Sequence, residues 1–167
     1  MKEMSNTIWI CLLLSISAAA NPFSPHNWQR FAPPKSGFSV LLPGIPNESE
    51  QVITRNKRST TAHVFTYNTG DESYSIAYND FSEPLDVKTA LPTLRDSAVG
   101  KGRVLLDVNL TLDGHPGKLV TVFADGRTTT TGFYIAGARL YQIAYRSSNP
   151  GEVLLHGAPY FKSFKIN

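Results

Sequence analysis

The residues that could do chemistry are few and scattered. The four histidines are His26, His63, His115 and His156, and no two of them stand at H-x-H or H-x-x-x-H, the spacings at which neighbouring imidazoles share a metal. His63 shares a strand face with Phe65 and Tyr67 and reads as a packed or edge residue. His115 lies between Asp113-Gly114 and Pro116-Gly117 and reads as a surface imidazole in a turn. A serine hydrolase needs its nucleophile on a strained G-x-S-x-G turn, and neither that pattern nor a phosphate-cradling glycine motif occurs. Asp80, Asp107, Asp113 and Asp125 fall at strand ends, polar faces or turns, where structure alone accounts for them. The sequence therefore offers no catalytic residue, no cofactor motif and no metal motif. What remains is aromatic: seven tyrosines, Tyr67, Tyr74, Tyr78, Tyr134, Tyr141, Tyr145 and Tyr160, lie mostly on strands. Of these, Tyr67, Tyr74, Tyr78, Tyr141 and Tyr145 form a candidate contact surface, apolar rings with polar tips, for a protein partner or a small apolar ligand. The competing reading is cross-strand packing beneath a helix, and it demands less.

The chain around these residues is that of an ordinary folded domain. Its 167 residues are 41% hydrophobic and 17% charged, enough for one domain that buries its core without disulfides or a structural metal. Sixteen Lys and Arg against thirteen Asp and Glu leave +3. That charge is scattered, so nucleic acid is not an implied partner. The one cluster, Arg55, Lys57 and Arg58, reads as a solvated turn.

The amino terminus has the pattern of an export leader. Lys2 and the terminal amine, offset by Glu3, precede an apolar run from Ile8 to Ile16 broken only by Ser15, and Ser17-Ala18-Ala19-Ala20 follows. Ala18 and Ala20 satisfy the small-residue rule of signal peptidase, which predicts a signal peptide over residues 1–20, a cut after Ala20 and a periplasmic or secreted product. The run is shorter than the ~20 residues of a spanning helix, so no integral membrane segment is expected after processing. Cys11 is the only cysteine and sits early in that run, away from the cleavage point where a lipoprotein carries its lipidated cysteine. The mature chain is then free of thiols, which excludes disulfides, thiol catalysis and cysteine-based zinc sites together.

Residues 21–35 contain Pro22, Pro25, Pro33 and Pro34 and predict an extended lead-in from which Trp28 and Phe31 dock on a single α+β domain over residues 36–167. Strands are predicted at 37–42, 51–54, 60–67 and 73–80, with Tyr74, Ile76 and Tyr78 on one face. Val87, Leu91, Leu94 and Ala98 line one stripe of a helix over 86–100, capped by Asp86, stopped at Gly100 or Gly102, and kinked or started late by Pro92. The strand from Val104 to Leu112 alternates most cleanly, which predicts that its even-numbered residues face the helix at the centre of the core. A meander over 118–124, 128–136 and 139–146 follows, with Asp125-Gly126 as a type I′ turn. A short helix weakened by Gly157 and Pro159 and a strand at 163–166 close the chain. The fold class is α+β, an antiparallel β-sheet of about 6–8 strands covered by a central helix and a short C-terminal helix.

Three strings, Gly37-Phe38-Ser39-Val40-Leu41-Leu42-Pro43-Gly44-Ile45-Pro46, Ala138-Arg139-Leu140-Tyr141-Gln142-Ile143 and Phe161-Lys162-Ser163-Phe164-Lys165-Ile166, carry a resemblance. Together with the order of elements they resemble the PsbP-like fold over about Trp28 to Asn167, and similar strings occur in small exported bacterial proteins near that fold. The resemblance implies an antiparallel sheet covered by helices. Its members include the extrinsic photosystem II protein and a Ran-binding nuclear transport factor, both non-catalytic accessory or interaction proteins. It transfers no functional residue, because no position here matches a binding motif of either. The resulting expectation is an exported, non-catalytic binding or accessory protein. The alternatives are a periplasmic small-ligand carrier with a tyrosine-lined cavity, and a hydrolase without a recognisable motif. A cavity between helix and sheet would favour the carrier, and converging His and Asp side chains in a cleft the enzyme.

Overall fold

The computed structural model describes residues 27–55 and 58–167, and within them the alternating stretches all become strands. In chain order these are β1 (Gln29–Phe31), β2 (Phe38–Leu42), β3 (Asn47–Arg55), β4 (Arg58–Thr69), β5 (Glu72–Asp80), β6 (Arg103–Leu112), β7 (His115–Ala124), β8 (Arg127–Ala136), β9 (Arg139–Ser147) and β10 (Lys165–Ile166). Helix α1 spans Val87–Val99 between β5 and β6, a single π-helical turn covers Val153–Gly157, and α2 spans Ala158–Ser163. Seven strands form an antiparallel sheet in the order β3-β4-β5-β9-β8-β7-β6, and β1-β2-β10 form a small second sheet. The leader, Cys11, the cut after Ala20, His26, the first half of the lead-in and Lys57 lie outside the described residues. Among the described residues no helix is long and apolar enough to cross a membrane.

Local chemistry accounts for the connections. Asp113-Gly114 and Asp125-Gly126 both hold positive φ at the two central residues, 50° and 83° in the first, 50° and 73° in the second. That is the type I′ geometry whose twist matches paired strands. Asp86 caps α1 by accepting from the Lys88 amide at 3.2 Å, and Gly100, at a φ of 52°, ends it. The helix starts directly after its cap and runs through Pro92, so the late start does not occur. β3 begins four residues earlier than predicted, at Asn47. Its first four residues, Asn47-Glu48-Ser49-Glu50, carry no apolar alternation because β3 is an edge strand.

Each face of the large sheet has its own core. On the first, Tyr74, Ile76 and Tyr78 of β5 stand directly opposite Tyr145, Ile143 and Tyr141 of β9. Phe38, Val40 and Leu42 of the small sheet and Tyr160 and Phe164 of the C-terminal segment cover them. The lead-in docks here too: the Trp28 ring meets Tyr74 edge-on at 5.5 Å and Phe31 meets Phe65 at 5.1 Å. On the second face, Leu91 of α1 packs on Val120 and Val122 of β7, Phe133 and Ile135 of β8, and Leu140.

The strand predicted to be central is instead the sheet's edge. Among the described residues β6 pairs only with β7, and Leu106 and Val108 are 41% and 39% exposed. Beyond the bulge its odd-numbered residues face α1: Asp107, opposite Val120, accepts from Arg95 Nε of the helix and from Lys118 Nζ, both at 2.7 Å. The reason is competition for the stripe of α1. Val120, Val122, Phe133 and Ile135, on two strands nearer the middle of the sheet, occupy it and leave the even residues of β6 from Leu106 onward on the opposite face. There only Leu110 and Leu112 reach the first core. A register shift between Val104 and Leu106 further bends this edge.

The carboxy-terminal helix is split. Gly157 lies against the Tyr145 ring so closely that a Cβ would come within 2.7 Å of it, and Pro159 occupies the first turn of α2, where a missing donor is harmless.

Candidate functional site

Tyr74, Tyr78, Tyr141 and Tyr145 are buried in the first core and Tyr67 is half-buried, so these five rings do not face outward together as a contact surface. The physical reason is the small sheet and C-terminal segment that lie on top of them, sealing rings which pack edge-on: Tyr74 is 5.1 Å from Tyr145 and 5.2 Å from Tyr160. The hydroxyls remain polar, and two of them converge on one carboxylate.

That carboxylate is Glu72, at the start of β5, directly after the turn at Gly70. Its Oε1 accepts from the Tyr145 hydroxyl on the neighbouring β9, and its Oε2 from Tyr74 and Thr69 hydroxyls, each at 3.3 Å. His156, in the π-helical turn, places Nδ1 2.7 Å from Glu72 Oε1 and 3.0 Å from Glu152 Oε2. The second carboxylate is steadied by Asn149, whose Nδ2 donates to Glu152 Oε1 at 3.4 Å. Burial alone would raise the Glu72 pKa, but the hydrogen bonds from Tyr145 and His156 and the charge of His156 outweigh it and hold the group below the usual carboxylate value. The same burial, reinforced by the Glu72 charge, pushes Tyr74 and Tyr145 upward, so both remain protonated donors. Glu72, Glu152 and His156 thus form a half-open polar pocket of two carboxylates and an imidazole whose ligand atoms all lie within 4.8 Å of one another.

A second convergence fixes the lead-in. Arg139 of β9 grips Asp80 of β5 with two hydrogen bonds, donates to the Lys35 and Ser36 carbonyls at 3.0 and 2.8 Å, and lies 4.8 Å over the Tyr78 ring. The Tyr141 hydroxyl donates to the same Ser36 carbonyl at 3.1 Å. Asp80 is held below its usual pKa by this hydrogen-bonded guanidinium. These contacts pin segments together and leave no group free to react.

His63 and His115 join neither cluster. His63 stacks on Tyr78 at 4.6 Å with Nδ1 3.2 Å from Glu50, and His115 is half-buried at the start of β7. On the second face, a groove of about 750 Å³ runs between the segment 81–85, Leu94 of α1 and the strands, with Thr60, Asn79, Leu140 and Gln142 in its walls and no tyrosine. Asn79 is buried there, and its Nδ2 has no acceptor among the described residues.

Sequence reasoning missed Glu72, Glu152 and His156 as a group. Glu152 and His156 are four residues apart, the spacing of one helical turn, which was a readable signal. Glu72 lies 84 residues before His156 and gave none.

No protein-family model and no curated protein matches the sequence. Among solved structures, the solution structure of cyanobacterial PsbP (CyanoP) from Synechocystis sp. PCC 6803 matches with a TM-score of 0.58 at 14% identity, over 84% of this chain and 93% of that one. PA94 from Pseudomonas aeruginosa matches with a TM-score of 0.43 at 9% identity, over 79% and 90%. The fold is PsbP-like: a seven-stranded antiparallel sheet, a small second sheet and two α-helices.

Proposed function

We propose that this chain is an exported, non-catalytic accessory protein that works by binding an extended segment of a partner protein along β6. The observation that carries this reading is the free edge of the large sheet. Folded proteins usually blunt a long edge strand with charge or proline, because its unpaired amides and carbonyls invite another strand. Over its middle the ten-residue β6 has only a bulge after Val104 and one charge, Asp107, already paired with Arg95 and Lys118, while Leu105, Leu106 and Val108 remain substantially in water. An apolar row beside unpaired backbone suits strand addition, in which the main chain supplies affinity and alternate side chains supply selectivity. Export is supported by the leader pattern ending in Ala18-Ala19-Ala20.

A photo-crosslinking residue at position 108, expressed in the natural host, tests the reading. A discrete adduct with one other protein is expected, lost on Leu106→Lys and absent when the probe is moved to position 71. No adduct, or an adduct only with a second copy of the chain, would overturn it.

The groove beside Asn79 favours a second reading, carriage of a small ligand bearing a hydrogen-bond acceptor for the orphan amide. Asn79→Leu would then remove ligand that co-purifies with the exported protein.

A further inference from the structure

We propose that Glu72, Glu152 and His156 bind one divalent transition-metal ion of the zinc type, through Glu72 Oε1, Glu152 Oε2 and His156 Nδ1, with a further coordination position open to solvent. The site lies on the first face, away from β6, and stands independently of the partner-binding reading.

The first argument is an unmet demand. One imidazole nitrogen carries at most one hydrogen, yet His156 Nδ1 faces two carboxylate oxygens, at 2.7 and 3.0 Å. It cannot serve both. Glu152 Oε2 is accordingly buried without a hydrogen bond from any described residue. A dication answers all three lone pairs at once, and the two carboxylates with a neutral imidazole match its charge.

Geometry and surroundings agree. Ligands held at ~2.0–2.2 Å from zinc stand roughly 3–3.5 Å apart, so the two imidazole–carboxylate pairs would open by a few tenths of an ångström while the two carboxylate oxygens, within 4.8 Å of one another, adjust around the ion. The non-ligating side of each carboxylate is already oriented, Glu72 Oε2 by Tyr74 and Thr69 and Glu152 Oε1 by Asn149. Such outer hydrogen bonds fix ligands before the metal arrives. The imidazole selects against magnesium and calcium, which take oxygen alone. The site is reachable as well, since the His156 side chain is 44% exposed.

Zinc ion added to the purified exported chain after chelator treatment, followed by isothermal titration and by elemental analysis after dialysis, tests the proposal. One equivalent should bind. His156→Ala and Glu152→Gln should each weaken binding roughly 10–100-fold or abolish it, while His63→Ala and His115→Ala leave it unchanged. Cobalt(II) should give visible absorption bands that zinc displaces and that His156→Ala loses. Circular dichroism separates loss of the site from loss of the fold, and Glu152→Gln, at a partly exposed side chain, keeps the test decisive should His156→Ala misfold. Absence of one-equivalent uptake, or uptake undiminished in both variants, would overturn the assignment and leave the cluster a simple ion pair.

Discussion

Arg139 and Asp80 meet across the β5–β9 boundary with two parallel hydrogen bonds, Nε to Oδ1 at 2.5 Å and Nη2 to Oδ2 at 2.7 Å. The planar fork of the guanidinium makes this possible while its other nitrogen holds the Lys35 and Ser36 carbonyls.

Arg139→Lys is therefore expected to be no conservative change. An ammonium cannot hold Asp80 and two carbonyls in one plane, so it should cost about 1–2 kcal/mol in urea denaturation, most of it from the carbonyls, because the Asp80 carboxylate is largely exposed and screened. Trp28 is the only tryptophan after Ala20, and in a chain processed there its emission should shift toward the red as the lead-in loosens. Unchanged stability and emission in Arg139→Lys would show that the lead-in is held by its rings alone.

Acid should expose the contribution of Glu72. A carboxylate whose folded pKa lies below its unfolded value stabilises the fold fully above the unfolded value, here near 4.5, and loses that contribution as pH falls through the folded one. Glu72→Gln should accordingly cost about 1–3 kcal/mol at pH 7, from hydrogen bonds to a charged group, and much less at pH 3. A difference between the two proteins that stays constant over this range would contradict the ionised, donor-surrounded state described above.

The two faces of the β6–β7 pair should respond unequally to truncation. Val120→Ala removes a side chain packed under α1 and should cost about 1–3 kcal/mol, whereas Leu106→Ala, at the exposed edge, should cost under about 1 kcal/mol. Comparable losses in a denaturation series would place Leu106 in a core.

Export has its own check. The product recovered outside the cytoplasm should begin at Asn21, and N-terminal sequencing that finds Met1 or Lys2 in place would reject the leader assignment.

What the sequence made legible was local. Strand alternation, the Asp86 cap, the Gly100 stop and the two Asp-Gly turns each depend on a few neighbouring residues, and each is found where those residues place it. The orientation of β6 was illegible for a different reason. Its alternation shows that one face is apolar, but whether α1 covers that face depends on Val120, Val122, Phe133 and Ile135 taking the helix first. The Glu72 cluster was hidden by distance along the chain, and the five tyrosines were ambiguous in sequence because a ring that packs and a ring that binds have the same composition. Only the position of the small sheet over Tyr74 and Tyr145 separates the two.

The strand order also has a kinetic side. β3-β4-β5 and β6-β7-β8-β9 are each built from neighbours in sequence, so either stack can zip from its own turns, but β5 and β9 must find one another across the whole α1-to-β8 segment. Closing so long a loop is entropically unfavourable before any contact compensates it, which makes this seam the slow step of assembly. Both polar clusters sit at its ends, Glu72 with Tyr145 and Asp80 with Arg139, while Ile76 faces Ile143 midway. They act as the two clasps of a zip. Truncations at Ile76 or Ile143 should thus slow refolding, whereas truncations in the β3–β4 hairpin should chiefly speed unfolding.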